Sequence, residues 1–268
     1  MEIIFDEVIF NDSDVLNFNI KSNKITCFLG NDNSIGQTIL DGIMAVKKPL
    51  NGVIKVNDNY IYKTKQTGFN KLRKDLFYLS EEVFCNVYFD KVMDLLEFNL
   101  TLYKVENFEL NSMLKCFDLE EDIVYKKIKC LSDSELIRIM FLVGFIKKPN
   151  IILLDNILSR VDFNIQRKMI NFLKKMKHNN DIIIVVYSND SELALRLCDE
   201  LYIVDDKNVV ISGMKYKVFK EKDIFDKLKL NIPNIIEFKN VVKTNKNVKL
   251  KDRDDINDLI KDIYRYVK

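Results

Sequence analysis

Apolar positions along this chain come in short unbroken runs, and between the runs they recur at three- and four-residue spacing. An unbroken run ended by a turn residue marks a strand buried on both faces, and the wider spacing marks a helix with one buried side. Ile25-Thr26-Cys27-Phe28-Leu29 is such a strand and ends at Gly30. Ile151-Ile152-Leu153-Leu154, closed by Asp155, is a second, and Ile182-Ile183-Ile184-Val185-Val186 is a third. Leu201-Tyr202-Ile203-Val204 follows, with 209–212 returning as the other arm of a hairpin. Further strands are predicted at 3–5, 8–10 and 15–20, and at 53–56 after the turn Lys48-Pro49-Leu50-Asn51-Gly52. Helices are predicted over 38–46, over much of 83–147 (Val92, Leu95 and Leu96, then Leu136, Ile139, Met140 and Val143), and over about 164–177 and 191–198.

Strands alternating with helices predict an α/β fold whose parallel sheet is covered on both faces. The helical insert at about 83–147 forms a separate lobe between the first and second core strands. Past Gly213 the character changes. Residues 214–268 read as short, charged helices, the last with Ile256, Leu259, Ile260 and Ile263 on one face. The expected division is a main domain at 1–213 and a C-terminal helical extension at 214–268.

Composition narrows the function classes. A chain of 268 residues, 47% hydrophobic and 31% charged, has a globular profile. Its 42 basic and 40 acidic residues are interspersed, for a net charge of +2, so nucleic acid is not an expected partner. Cys27, Cys85, Cys116, Cys130 and Cys198 form no CxxC pair and are expected as reduced thiols. The N-terminus lacks the basic and apolar regions of a signal peptide, and no run approaches the roughly 18 apolar residues of a membrane span. Attachment to a membrane is therefore expected only through other subunits.

Each core strand ends where a P-loop ATPase keeps a working residue. Leu131-Ser132-Asp133-Ser134-Glu135, then Arg138, resembles the signature of ATP-binding-cassette (ABC) proteins, and it runs at the right spacing through Lys148-Pro149-Asn150 into the strand that ends at Asp155. Ser159-Arg160-Val161-Asp162 resembles the D-loop, and 198–206 the closing strand. Within that family the chain most resembles the ATPases of energy-coupling-factor transporters, through 83–92, Val210-Ile211-Ser212-Gly213, Val218-Phe219 and 228–233. The resemblance implies a P-loop NTPase-type ABC nucleotide-binding domain: a mostly parallel sheet, an N-terminal antiparallel β portion, a helical subdomain and the C-terminal extension. It further implies ATP and Mg²⁺ as cofactors, a second ATP-binding subunit (homo- or heterodimer), a transmembrane coupling subunit docked beside 81–90, and a cytoplasmic location on the inner face of the cell membrane.

The resemblance also marks what has changed. The loop Gly30-Asn31-Asp32-Asn33-Ser34-Ile35-Gly36-Gln37-Thr38 lies where the family reads GxxxxGK[ST], whose backbone N–H groups and lysine hold phosphates. Aligned without a gap, Ile35 replaces the second glycine, Gly36 the lysine and Gln37 the magnesium-binding hydroxyl; with one inserted residue, Gln37 replaces the lysine. No lysine remains either way. Asp32 adds a negative charge, worth about 4 kcal/mol against a like charge about 4 Å away at an effective dielectric of about 20. Asp155 keeps the magnesium-holding carboxylate. Asn156 stands where a carboxylate polarises the attacking water, and an amide cannot act as its base. Ser188 takes the place of the switch histidine, Glu81 that of the Q-loop glutamine, and Asp12 falls near that of the adenine-stacking aromatic. His178, the only histidine, is expected in a surface loop. Ser132 keeps the signature hydroxyl, but Asp133 points a carboxylate at the phosphate held by the other subunit. Tight ATP binding is not expected.

The sequence thus predicts a degenerate transporter subunit with little or no hydrolysis. The alternatives are a transport ATPase whose substitutions a partner compensates, and a non-transport interaction or sensor protein on the same fold.

Overall fold

The computed structural model describes residues 1–11, 13–62, 73–82, 87–179, 181–246 and 250–267, without the side chains of 179 and 265–267. Asp12, Cys85 and the start of the 83–92 segment lie outside the described residues.

The three unbroken apolar runs become the centre of a six-stranded sheet. They are β3 (Ile25–Leu29), β7 (Ile151–Asp155) and β8 (Ile183–Ser188). With β6 (Leu76–Leu79), β9 (Glu200–Val204) and β10 (Val209–Met214) the order is β10-β9-β3-β8-β7-β6. Every pairing is parallel except the β9–β10 hairpin. Leu29 lies opposite Ser188, and Asp155 opposite Tyr187, so the loops leaving β3, β7 and β8 emerge side by side at one edge. That edge, outside the carboxyl ends of parallel strands, is where open α/β sheets place their ligand crevice.

A second, antiparallel sheet has the order β2-β1-β4-β5, with β1 at Glu2–Ile9, β2 at Leu16–Lys21, β4 at Asn51–Val56 and β5 at Asn59–Tyr60. The runs predicted at 3–5 and 8–10 are one strand. Its register shifts between Phe5 and Val8, with Glu7 at φ 49°, and this bulge breaks the alternation that the sequence pattern relies on. Helix α1 (Gly36–Ile43) begins two residues earlier than predicted and packs its buried Ile39, Leu40 and Ile43 between the sheets.

The helical lobe contains α2 (Val92–Leu102), α3 (Leu110–Cys116) and α4 (Asp133–Ile146). It is joined to the sheet through Phe77 of β6, which packs edge-on against Phe141 and beside Phe145. A Cβ at Gly144 would collide with the Phe77 ring, so the close approach of α4 to β6 requires that glycine. Helix α5 (Phe163–Asn179) runs longer than predicted, which places His178 in its last turn rather than in a loop; the residue is exposed there as expected. Helix α6 (Ser191–Leu197) follows β8.

After β10 come α7 (Lys215–Val218), α8 (Lys222–Leu228), α9 (Asn234–Lys246) and α10 (Ile256–Val267). Phe219, Phe225, Ile235 and Leu259 share one buried cluster with Cys27 and Leu29 of β3 and Leu195 of α6. The buried Lys215 fixes the junction, donating to the Leu195 carbonyl at 2.7 Å and pairing with Asp254 at 2.7 Å. Cys27 and Cys198 meet in that cluster as free thiols, and a hydrogen bond between them together with burial pushes the Cys27 thiol well up. Among the described residues no helix is long and apolar enough to cross a membrane.

Candidate functional site

The loop after β3 opens at the sheet edge, and three of its amides turn inward. Gly30 N–H donates to the Ser188 carbonyl at 3.2 Å, Ser34 N–H to the Asn31 carbonyl at 2.8 Å, and Ile35 N–H to the Asp205 carbonyl at 2.7 Å. A phosphate-binding loop needs such donors aimed at the ligand. Here three of them serve the protein itself.

Tyr187, at the end of β8, fills the space beneath the loop. Its ring and Ile35 are each only 4% exposed. The Tyr187 hydroxyl donates to the Asn31 carbonyl at 2.6 Å and accepts from Ser34 Oγ at 3.0 Å. Burial raises its pKa, so it remains a neutral donor. From the outer side Asn31 Nδ2 donates to the Leu228 carbonyl of α8 at 2.9 Å. Thr38 Oγ1 accepts from Lys47 at 3.1 Å, and Asn33 is exposed.

Beside this loop lies an open cleft of about 240 Å³, lined by Asp32, Gln37, Glu81, Glu82, Asp155, Asn156, Arg160 and Tyr187. Four carboxylates face one arginine, and Arg160 is paired with Glu81. Asp32 accepts from Asn189 Nδ2 at 2.9 Å. Asp155 accepts from the Tyr78 hydroxyl at 3.0 Å; burial raises its pKa, and the charges of Asp41 and Glu82 add to the rise. A polyphosphate here would meet repulsion of about 4 kcal/mol for each like charge about 4 Å away at a surface-like dielectric.

Asn156 follows β7 in the left-handed region, at φ 48°, with its N–H donated to the Tyr187 carbonyl at 2.8 Å. Asparagine tolerates that conformation better than glutamate does, which accounts for the residue through its backbone. Ser159 Oγ donates to the Asn156 carbonyl at 2.8 Å, and Asp162 accepts from Ile165 N–H at 3.2 Å at the start of α5. Ser188 is fully buried, and its Oγ accepts from Asp190 N–H at 3.0 Å, away from the cleft.

The signature segment caps α4 in the helical lobe. Ser132 Oγ accepts from Glu135 N–H at 3.2 Å, and the Glu135 carboxylate accepts from Ser132 N–H at 2.9 Å, a reciprocal capping box. The same hydrogen bonds hold the Glu135 pKa below the usual glutamate range. Asp133 and Glu135 thus place two carboxylates in the first turn. Leu131 packs against the lobe core, and Ser134 Oγ is buried without a partner. Arg138 donates to the carbonyls of Ser134 and Asp118, at 3.0 and 2.7 Å, so it braces the lobe.

The loop has no lysine, and the hydroxyls of Ser34 and Thr38 are engaged within the protein, with Tyr187 and Lys47.

No protein-family model matches the chain. Among solved structures, cbiO1 from Clostridium perfringens, part of the ABC transporter complex cbiONQ, superposes with a TM-score of 0.70 at 20% identity, over 88% of this chain and 97% of that one. The chain carries the ABC cassette fold. The ATP-binding cassette MJ0796, seen as a dimer in a post-hydrolysis state with ADP and Pi, gives the same TM-score of 0.70 at 20% identity, over 80% of this chain and 98% of that one. In sequence, the energy-coupling factor transporter ATP-binding protein EcfA2 of Clostridium perfringens is 23% identical over 232 residues, 85% of this chain and 81% of the relative.

In this cassette the fold gathers Gln37, Glu81, Asp155 and Asn156 at one cleft and leaves Ser188 and the signature residues out of it. Sequence reading missed Tyr187, Glu82 and the carbonyls of Asp205 and Leu228, and it named Arg160 only as part of the D-loop segment. Among those missed, Tyr187 carried a signal: a bulky ring one residue ahead of the switch position, at the end of a buried strand.

Proposed function

We propose that this chain is the degenerate ATP-binding-cassette subunit of a membrane transporter of energy-coupling-factor type, with little or no ATP hydrolysis. It pairs with another ATP-binding subunit, couples to a transmembrane subunit, and sits on the inner face of the membrane as a structural or regulatory half. The cassette at 1–213 makes those contacts, and the extension at 214–268 steadies it. The observation that carries this reading is the loop after β3: its Ser34 and Ile35 amides are engaged with the Asn31 and Asp205 carbonyls, and Tyr187 fills the space beneath it. The transporter role rests on the likeness to the EcfA2 and cbiO1 proteins, whose lengths the chain largely spans.

Titration with a fluorescent ATP analogue and Mg²⁺ tests the proposal. The expected result is no saturable binding up to about millimolar concentration, the upper end of ordinary substrate affinities. Micromolar binding overturns it and favours a cassette whose substitutions a partner compensates.

A further inference from the structure

Two contacts from distant parts of the chain meet on the nine-residue loop Gly30–Thr38, which has no lysine and two glycines. From beneath, the Tyr187 hydroxyl bridges the two ends of the turn, donating to the Asn31 carbonyl at 2.6 Å and accepting from Ser34 Oγ at 3.0 Å. From the outer side, Asn31 Nδ2 reaches the Leu228 carbonyl at 2.9 Å, on the helix that precedes the left-handed Lys229. One contact comes from the sheet and the other from the C-terminal extension. Both fall on Asn31.

We infer that Tyr187 and the Leu228 carbonyl act as built-in ligands of the loop, locking it shut so that the cassette keeps its phosphate loop ordered without nucleotide. The inference rests on the proposed function for its meaning, but its geometry stands apart from it. A side chain of β8 and the extension together supply that order. The lock also ties the extension to the sheet edge, so that a displacement of α8 would release Asn31.

Hydrogen–deuterium exchange of the full chain, with and without Mg·ATP, tests the lock. Wild type should protect the Ser34 and Ile35 amides with no nucleotide present. Tyr187→Phe removes the hydroxyl and keeps the ring, and should speed exchange at those amides about fivefold, the factor carried by one ordinary hydrogen bond. Ser34→Ala and Asn31→Ala should act in the same direction, while the α4 amides stay unchanged as a check on the fold. Unchanged exchange at 34–35 in all three variants overturns the inference. Protection of the wild-type loop by Mg·ATP overturns the proposed function instead, and leaves the lock standing if Tyr187→Phe still speeds exchange in its absence.

Discussion

A Cβ on Gly36 would stand 2.5 Å from Cε2 of Tyr187 and closer still to Cδ2. The two residues are fitted to each other: the ring occupies the volume that any side chain at position 36 would need. In the gap-free reading, position 36 is that of the phosphate-binding lysine, and the Tyr187 ring leaves no room there for a side chain.

Gly36→Lys alone should destabilise the fold by about 1–3 kcal/mol, the usual cost of overpacking. Pairing it with Tyr187→Thr should recover much of that loss, although Tyr187→Thr is itself destabilising. A double-mutant cycle from urea unfolding reads the coupling. Additive single effects would show that the two sites do not compete for space.

Asn156 is constrained through its backbone. At φ 48° a glutamate pays a conformational cost that asparagine largely escapes. Asn156→Glu should lower stability by about 1 kcal/mol and restore no phosphate release. Asn156→Gly should be close to neutral in the same unfolding assay.

The capping box of α4 predicts a pH dependence. Hydrogen bonds from Ser132 hold the Glu135 pKa below its ordinary value. A carboxylate depressed in the folded state contributes stability that is present above its unfolded pKa, about 4.3, and is lost as pH falls through the lower folded value. The stability difference between wild type and Glu135→Gln should be largest near neutral pH and shrink below about pH 4. Thermal melts across that range measure it, and a pH-independent difference would contradict the assignment.

The sheet was legible because its central strands are apolar throughout. Ile25–Leu29 is buried at every position and so left no ambiguity of face. The start of β1 was harder: a bulge at Glu7 splits one strand into two runs, and a bulge leaves no periodic mark. His178 was misplaced because a charged helical turn and a polar loop have the same composition. At the site, Gly30, Gln37, Asp155 and Asn156 could be read from their spacing to strand ends. The role of Tyr187 could not, since it depends on a ring and a glycine brought together only by the parallel pairing of β3 with β8. The acidic cleft was half-read. Asp32 stood out beside the loop, whereas Glu82 and the Arg160–Glu81 pair come into view only once β6 lies next to β7.

If the loop of this ABC cassette is closed to polyphosphate, the melting temperature will not respond to Mg·ATP. A ligand present at about 100 times its Kd stabilises a fold by about 2.7 kcal/mol. For a chain of this size that amounts to a rise of roughly 5–10 °C. At about 5 mM Mg·ATP a cassette with a Kd of about 50 μM would show that rise. A closed loop gives a shift of less than about 1 °C for the wild-type chain, whereas a rise of several degrees means that the loop admits the nucleotide.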